Sequence, residues 1–412
     1  MKSIFIAASP NTQIDDVLLA FRHLLNPFSW FSNNKVTAFE KKVSEMHNGY
    51  EAIAMDSARS AFYLLLKAYG VKAGDEVILP AFTCLVIANP VIWLGAKPVY
   101  VDVGEDFNID LNELRSKVSE KTKAILVQHT FGKPVSVSAV REIVGQDVKI
   151  IEDLAHSLGS IFEGSLAGTK SDAAVITFGI EKVISTVRGG MAITNNRDIA
   201  KIIRLEVEKS KRFSYRRVFV SLLNPIFWYF VTPFYYLGIG KATLGRLIVL
   251  LARMLGVLGN MIEKVEYKTV KPKWLPAKMP GALASLGLNQ LRKLEKYNQH
   301  RRKVAAIYSK ILNIQYPTDS NSEHGYLRFP LLVENQAKVL KLARTKKVVL
   351  GDWYKSILYA PKSSLPLLGY TEGEAAKAEL FANHIVNLPT AINVDEKSAE
   401  FIARLVKPYK WK

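Results

Sequence analysis

The sequence has a single cysteine, Cys84, so no intrachain disulfide can form and neither a zinc-ribbon nor an iron–sulfur reading survives. Acidic residues are scarce: 37 Asp and Glu stand against 56 Lys and Arg, a formal charge of +19. From Lys209 to Ile262 they are missing altogether. This excess favours anionic partners, whether phosphorylated small molecules, acidic membrane surfaces or nucleic acid. Also missing are internal repeats, low-complexity tracts, metal-ligand spacings and any nucleophilic triad. The cations gather beside apolar segments rather than along one polar helix, which disfavours nucleic acid. Disorder is excluded by content, since 49% hydrophobic and 10% aromatic residues over 412 positions supply a large core. The run Ile4–Ala8 before Pro10 is too short for a signal peptide, and a reducing cytoplasm is the expected compartment.

From about residue 34 to 206, helical and strand patterns alternate. Val36, Phe39, Val43 and Met46 recur at helical spacing, and Ser60 to Tyr69 is a second helical run stopped by Gly70. Strands are predicted at Ala52–Met55, Val77–Pro80, Pro98–Val103, Ala124–Gln128, Val148–Asp153, Ala173–Phe178 and Met191–Thr194. Apolar strands spaced by helix-length segments predict βαβ units and a mostly parallel sheet covered on both sides. Ligands of such sheets sit at the carboxyl ends of the strands. The pattern gives a large domain over 1–206, an apolar basic insertion over 207–275, and a region over 276–412. This last begins with a long helical run, Gly281–Leu312, and continues as a smaller α/β domain.

Three places can carry chemistry. The predicted strand Val148–Asp153 delivers Glu152 and Asp153 at its end, ahead of His156; a carboxylate there is either functional or a helix cap. Lys182 follows the strand Ala173–Phe178 and precedes Arg188-Gly189-Gly190, where glycines suit a backbone fitted closely against something. Lys182 reads as a solvated loop residue or as a functional amine. The loop Asp56-Ser57-Ala58-Arg59 enters a helix, whose exposed N–H groups make an anion site; ordinary N-capping would explain the same letters.

Five stretches resemble, in order and spacing, the DegT/DnrJ/EryC1/StrS family of pyridoxal-phosphate sugar aminotransferases: Gly74–Thr83, Gly95–Val99, Lys121–Ile125, Glu152–Gly159 and Arg188–Met191. Gln290-Leu291 and Arg301-Arg302 resemble the family's later helix. The resemblance implies an α/β fold-type-I enzyme, normally a homodimer with sites at the subunit interface. It makes Lys182 the lysine that holds the cofactor covalently and Asp153 the partner of the pyridinium nitrogen. It sets His156 beside the ring's phenolic oxygen, and Thr177 with Ser57, Ala58 and Arg59 around the phosphate. Related dehydratases have His at the position of Lys182. Two departures stand out: Arg59 where the family commonly has Thr, either a bidentate phosphate contact or a solvent-facing side chain, and Cys84 where an aromatic usually stacks on the ring. The family's Asn-x-Arg segment from the partner subunit has Pro276 and Lys278 as its nearest alignment. His129 reads as a structural histidine lining the cleft, and Cys84 as a small packed side chain rather than a nucleophile. No metal is expected.

Residues 218–240 carry no charge, yet Pro225 and Pro233 are expected to break a spanning helix, leaving an interfacial or re-entrant hairpin. Trp228, Tyr229, Tyr235 and Tyr236 suit a headgroup boundary, and the flanking cations suit acidic lipids, so 213–262 is expected at the inner face of the membrane. Packing on the catalytic domain or in an oligomer interface is the alternative. The implied reaction turns the keto group of a nucleotide- or lipid-linked sugar into an amine with L-glutamate as donor. A membrane-associated scaffold of the same fold, or a pyridoxal-phosphate enzyme with a non-sugar substrate, are the competing readings.

Overall fold

The apolar runs form one sheet: β1 (Glu51–Met55), β2 (Glu76–Pro80), β3 (Lys97–Val101), β4 (Thr122–Gln128), β5 (Lys149–Asp153), β6 (Ala173–Thr177) and β7 (Gly190–Thr194). The structure, a computed structural model, describes residues 3–239, 242–316 and 321–411. The spatial order is β1-β7-β6-β5-β4-β2-β3, with β2 to β6 parallel to one another and β7 antiparallel to both of its neighbours, β1 and β6. Alternate side chains enter separate cores. Leu126, Ile151 and Val175 join one, whereas Ile125, Val127 and Ile150 join another on the opposite face. Burial on both faces explains why these strands read as unbroken apolar runs. The α/β fold with a mostly parallel, helix-covered sheet is as expected from the sequence.

Among the helices, α1 (Ile14–Leu25), α2 (Ala58–Ala68), α3 (Tyr215–Val231), α4 (Leu244–Met254), α5 (Gly281–Leu291) and α6 (Leu294–Leu312) matter most for function. The run predicted as one helix from Gly281 to Leu312 divides at Arg292–Lys293, and the Lys293 ammonium at the division bonds Asp15 and Asp16 of α1. A second unit carries antiparallel strands β8 (Arg328–Leu332) and β9 (Ile385–Pro389), packed with α6 and the helix Glu396–Val406. The first strand of the chain, Ile4–Phe5, pairs with Val348–Val349 of this second unit rather than with the large sheet.

Pro225 does not break α3. The helix runs through it for 17 residues, because Pro225 and its neighbour Asn224 are buried, and the Ser9 hydroxyl bonds the Asn224 side chain. Packing against α1 outweighs the one backbone bond that proline cannot donate. Pro233 falls in the turn Thr232–Phe234 beyond the helix end. Among the described residues no helix is long and apolar enough to cross a membrane. Trp228, Tyr235 and Tyr236 lie against Phe5, at ring-centroid distances of 6.4, 4.7 and 6.1 Å. The insertion leaves and re-enters the sheet at one edge, where Lys211–Arg212 pairs in parallel with Ala277–Lys278, itself beside β1.

Candidate active site

The carboxyl ends of β1, β4, β5 and β6 open on a cavity of about 270 Å³. Lys182, Asp153, Thr177, Cys84 and the Ser57–Arg59 loop all line it. The register explains the convergence: Gln128 pairs with Asp153 and Asp153 with Val175, so side chains distant in sequence finish at one level.

Lys182 sits in a tight turn, its backbone N–H donating to the Gly179 carbonyl at 3.1 Å. The turn is held from outside. Asn11 donates to the carbonyls of Lys182 and Val183 at 2.8 and 3.0 Å, and the buried Arg301 guanidinium donates to the Val183 carbonyl and to Asn11. Gln290 accepts from the Ser185 N–H at 2.8 Å. The Lys182 ammonium lies 4.5 Å from the centre of the Trp353 ring. Burial brings its pKa down to about 8, opposed by Asp153 and reinforced by the Arg328 cation. Asp153 is buried, accepts from the Ala155 N–H at 2.9 Å, and is held above the usual carboxylate range by burial, with Lys182 pulling the other way.

Strand alternation sends the neighbouring Glu152 to the opposite side. There it accepts from Ser171, the Gly168 N–H and His129, contacts that outweigh burial and lower its pKa. His129 also accepts from the Val135 N–H. It is a structural histidine as expected, but it packs behind the sheet and does not line the cleft. Cys84 lines the cavity as a thiol, its pKa raised by burial.

At the other end of the cavity, Ser57 caps α2, accepting from the Ser60 N–H. Asp56 is turned away onto another chain segment: its carboxylate accepts from the Ala277 N–H at 2.6 Å and from the hydroxyls of Ser57 and Ser60. Burial raises its pKa to about 6. The close fit expected of Gly189-Gly190 is against this loop, since a Cβ at Gly190 would lie 2.1 Å from the Ala58 nitrogen. Arg59 lines the cavity without pointing to solvent. Its guanidinium is bound by Glu266 and by the Met261 carbonyl, both contributed by the return of the insertion. Arg188, unremarked among the candidates, lies beside it and donates to the Asn260 carbonyl at 2.7 Å. Burial, with Arg59 and Arg217 adding to it, lowers the Arg188 pKa to about 10. Cations crowded at a helix N-terminus are stabilised by an anion.

His156 lies one layer behind the cavity wall, which at this point is Trp353 and Tyr354. The Phe131 N–H donates to its Nδ1 at 3.1 Å, so the ring proton is on Nε2, 3.2 Å from the Tyr354 hydroxyl. Its ring stacks on Trp353 at 5.3 Å. Burial, followed by Lys182 and Arg328, holds its pKa far below the usual value, so the imidazole is neutral. Trp353 is clamped through its own backbone by the Asn387 side chain of β9, and the Arg328 guanidinium lies 3.3 Å over its ring. Arg328 also bonds Glu181, the residue before Lys182. Among the described residues no cluster of His, Cys, Asp and Glu could hold a metal ion.

A buried lysine and a buried aspartate at the ends of adjacent parallel strands, with an anion cradle across the cavity, define the α/β transferase class. The particular family follows from comparison: the profile of the DegT/DnrJ/EryC1/StrS aminotransferase family matches residues 12–221 and 257–407, and the chain belongs to that family. It is 28% identical over 373 residues to the uncharacterized protein MJ1066 of Methanocaldococcus jannaschii, spanning 86% of this chain and 84% of that one. It is 22% identical over 382 residues to the GDP-perosamine synthase of Vibrio cholerae, 91% of this chain and 90% of that enzyme. The fold matches that of Helicobacter pylori PseC, an aminotransferase of pseudoaminic acid biosynthesis, with a TM-score of 0.74 and 19% identity over 98% of each chain. The gap in the profile match, 222–256, falls within the insertion.

Proposed function

We propose that this aminotransferase converts the keto group of a nucleotide- or lipid-linked sugar to an amine, using pyridoxal phosphate as cofactor and L-glutamate as donor, and that it works as a homodimer. The observation that carries the reading is the convergence of Lys182 and Asp153 on one cavity with the amine tuned to about 8. The residues fit the cofactor: an amine, a buried carboxylate and a cationic cradle stand around a space of about 270 Å³. When bound, pyridoxal phosphate supplies an electron sink conjugated to the reacting carbon.

The protein's own groups do the rest. Lys182 Nζ, neutral in a sizeable fraction near pH 8, holds the cofactor and takes and returns the proton of the reacting carbon. Asp153 would hold the ring nitrogen and keep it protonated. Ser57, Ala58, Thr177 and the start of α2 would receive the phosphate, with Arg188 supplying positive potential from the side, whereas the Arg59 charge is met by Glu266. His156 orients Tyr354 by donating from Nε2, which leaves the phenolic proton to point toward the cavity. Trp353 and Tyr354 exclude water from the amine.

Purified protein reads this out directly. A visible absorption band that borohydride abolishes, present in the parent and absent in Lys182→Ala, supports the reading; a colourless parent that takes up no added pyridoxal phosphate overturns it and favours the scaffold. The proposal extends to location: with no acidic residue from Lys209 to Ile262 and a long apolar stretch, the insertion suits an acidic lipid surface at the inner face of the membrane.

A further inference from the structure

Helix α1 carries apolar side chains on two faces. It buries Val17 and Ala20 along with Asp16 and His23, while Ile14, Leu18, Phe21 and Leu25, spaced four, three and four apart on one face, are 51 to 72% exposed. Phe28, just beyond the helix, is 98% exposed. The carboxylates of α1 are both neutralised: the exposed Asp15 and the buried Asp16 are each held by Lys293 and by Asn289. The outward stripe therefore presents no negative charge.

Helix α4 of the insertion repeats the arrangement. It buries Gly245, Val249 and Ala252 and exposes Leu244, Leu247, Leu251 and Met254, again at helical spacing. The two helices belong to one structure, joined through α3. This helix packs on α1, its first residue Tyr215 meets Trp30 and Phe31 just after α1, its Arg216 lies against Gly256 just past α4, and Gly245 of α4 lies against Tyr235 in the turn that follows α3. Most of the strongly exposed large apolar side chains of the described residues lie in these two segments, 14–28 and 215–255. A protein surface in water rarely gathers apolar groups this way.

We infer that α1, outside the insertion, forms with α4 a single docking face for a bilayer bearing acidic lipids. This rests on the membrane location proposed above and assigns half of the contact to a helix that lies in the catalytic part of the chain. Charge selects the occupant. Lys211, Arg212 and Arg216 stand exposed beside the face, and the segment 209–262 offers no carboxylate, so a second copy would set cation against cation whereas acidic headgroups complement them.

The test is flotation of the full-length holoenzyme with vesicles of phosphatidylcholine alone and of phosphatidylcholine with phosphatidylglycerol. The parent floats with the mixed vesicles and less so as salt rises. Leu18→Glu/Phe21→Glu on α1 lowers the partition coefficient about tenfold, as does Leu247→Glu/Leu251→Glu on α4. Leu18→Ser/Phe21→Ser lowers it in the same direction with an unchanged circular dichroism spectrum and decides the matter if the charged pair misfolds. A parent that does not float overturns both this inference and the membrane location. A parent that floats, with the α4 pair impaired and both α1 pairs unaffected, overturns only the part assigned to α1. Loss of an oligomer on sedimentation of the α1 pairs, with flotation intact, gives the face to a second copy and overturns the inference.

Discussion

Asp56 shows how far a single residue's role departs from what its neighbours in sequence suggest. Beside an anion-binding loop a carboxylate looks misplaced, but its oxygens are taken by the Ala277 N–H and two hydroxyls, so it fastens the chain returning from the insertion to the end of β1. Its folded pKa of about 6 lies above the ordinary carboxylate value, so between about pH 4 and 6 the folded protein binds more protons than the unfolded chain. Stability is accordingly lost as pH rises through that window, by about 3 kcal/mol at most. Asp56→Asn keeps an acceptor for Ala277 and removes the charge. Urea titrations at pH 4.5 and 7.5 will show that the variant lacks the parent's pH dependence and is at least as stable at the higher value. At this scale, strand ends marked where Lys182 and Asp153 converge but left each open between a functional and an ordinary role, and the family resemblance singled them out. The partner of Arg59 was not: Glu266 is 207 positions away, and nothing local marks it. His156 was legible as a site residue but not as a second layer, since Trp353 and Tyr354 cover it from a part of the sequence without a recognisable motif.

At the scale of elements, the cradle depends on β7 starting directly against the loop that begins α2. Gly190→Ala places a methyl 2.1 Å from the Ala58 nitrogen, a backbone atom that cannot step aside. Loss of about 3 kcal/mol in denaturant melts and release of the cofactor during gel filtration are the expected outcomes. The strands β1 to β7 were legible because burial on both faces writes them as apolar runs, whereas the short edge pair Lys211–Arg212 and Ala277–Lys278 was not. Pro225 misled for the opposite reason: propensity counts the lost hydrogen bond but not the packing of α3 on α1, which only the tertiary structure supplies.

At the scale of the whole molecule, the two units meet beside the Lys182 amine. Arg328 of β8 bonds Glu181, lies over Trp353, and helps to lower the Lys182 pKa. Arg328→Gln removes that cation, which favours the ammonium. The acid limb of the activity profile, along which Lys182 loses its proton to become the active neutral amine, is expected to move to higher pH, and unfolding to become easier by about 3 kcal/mol because a half-buried carboxylate loses its partner. Glu181→Gln in the same background restores much of the stability and moves the limb back.

The sheet edge holds one more consequence. Because Lys211–Arg212 and Ala277–Lys278 run side by side, everything between them departs from and lands on the same spot, and the loop is already closed whatever its length. The excursion is thus a cassette. Its outer part can lengthen, shrink or be exchanged without disturbing the strands, whereas its return must keep Met261 and Glu266 where they hold Arg59 beside the cavity.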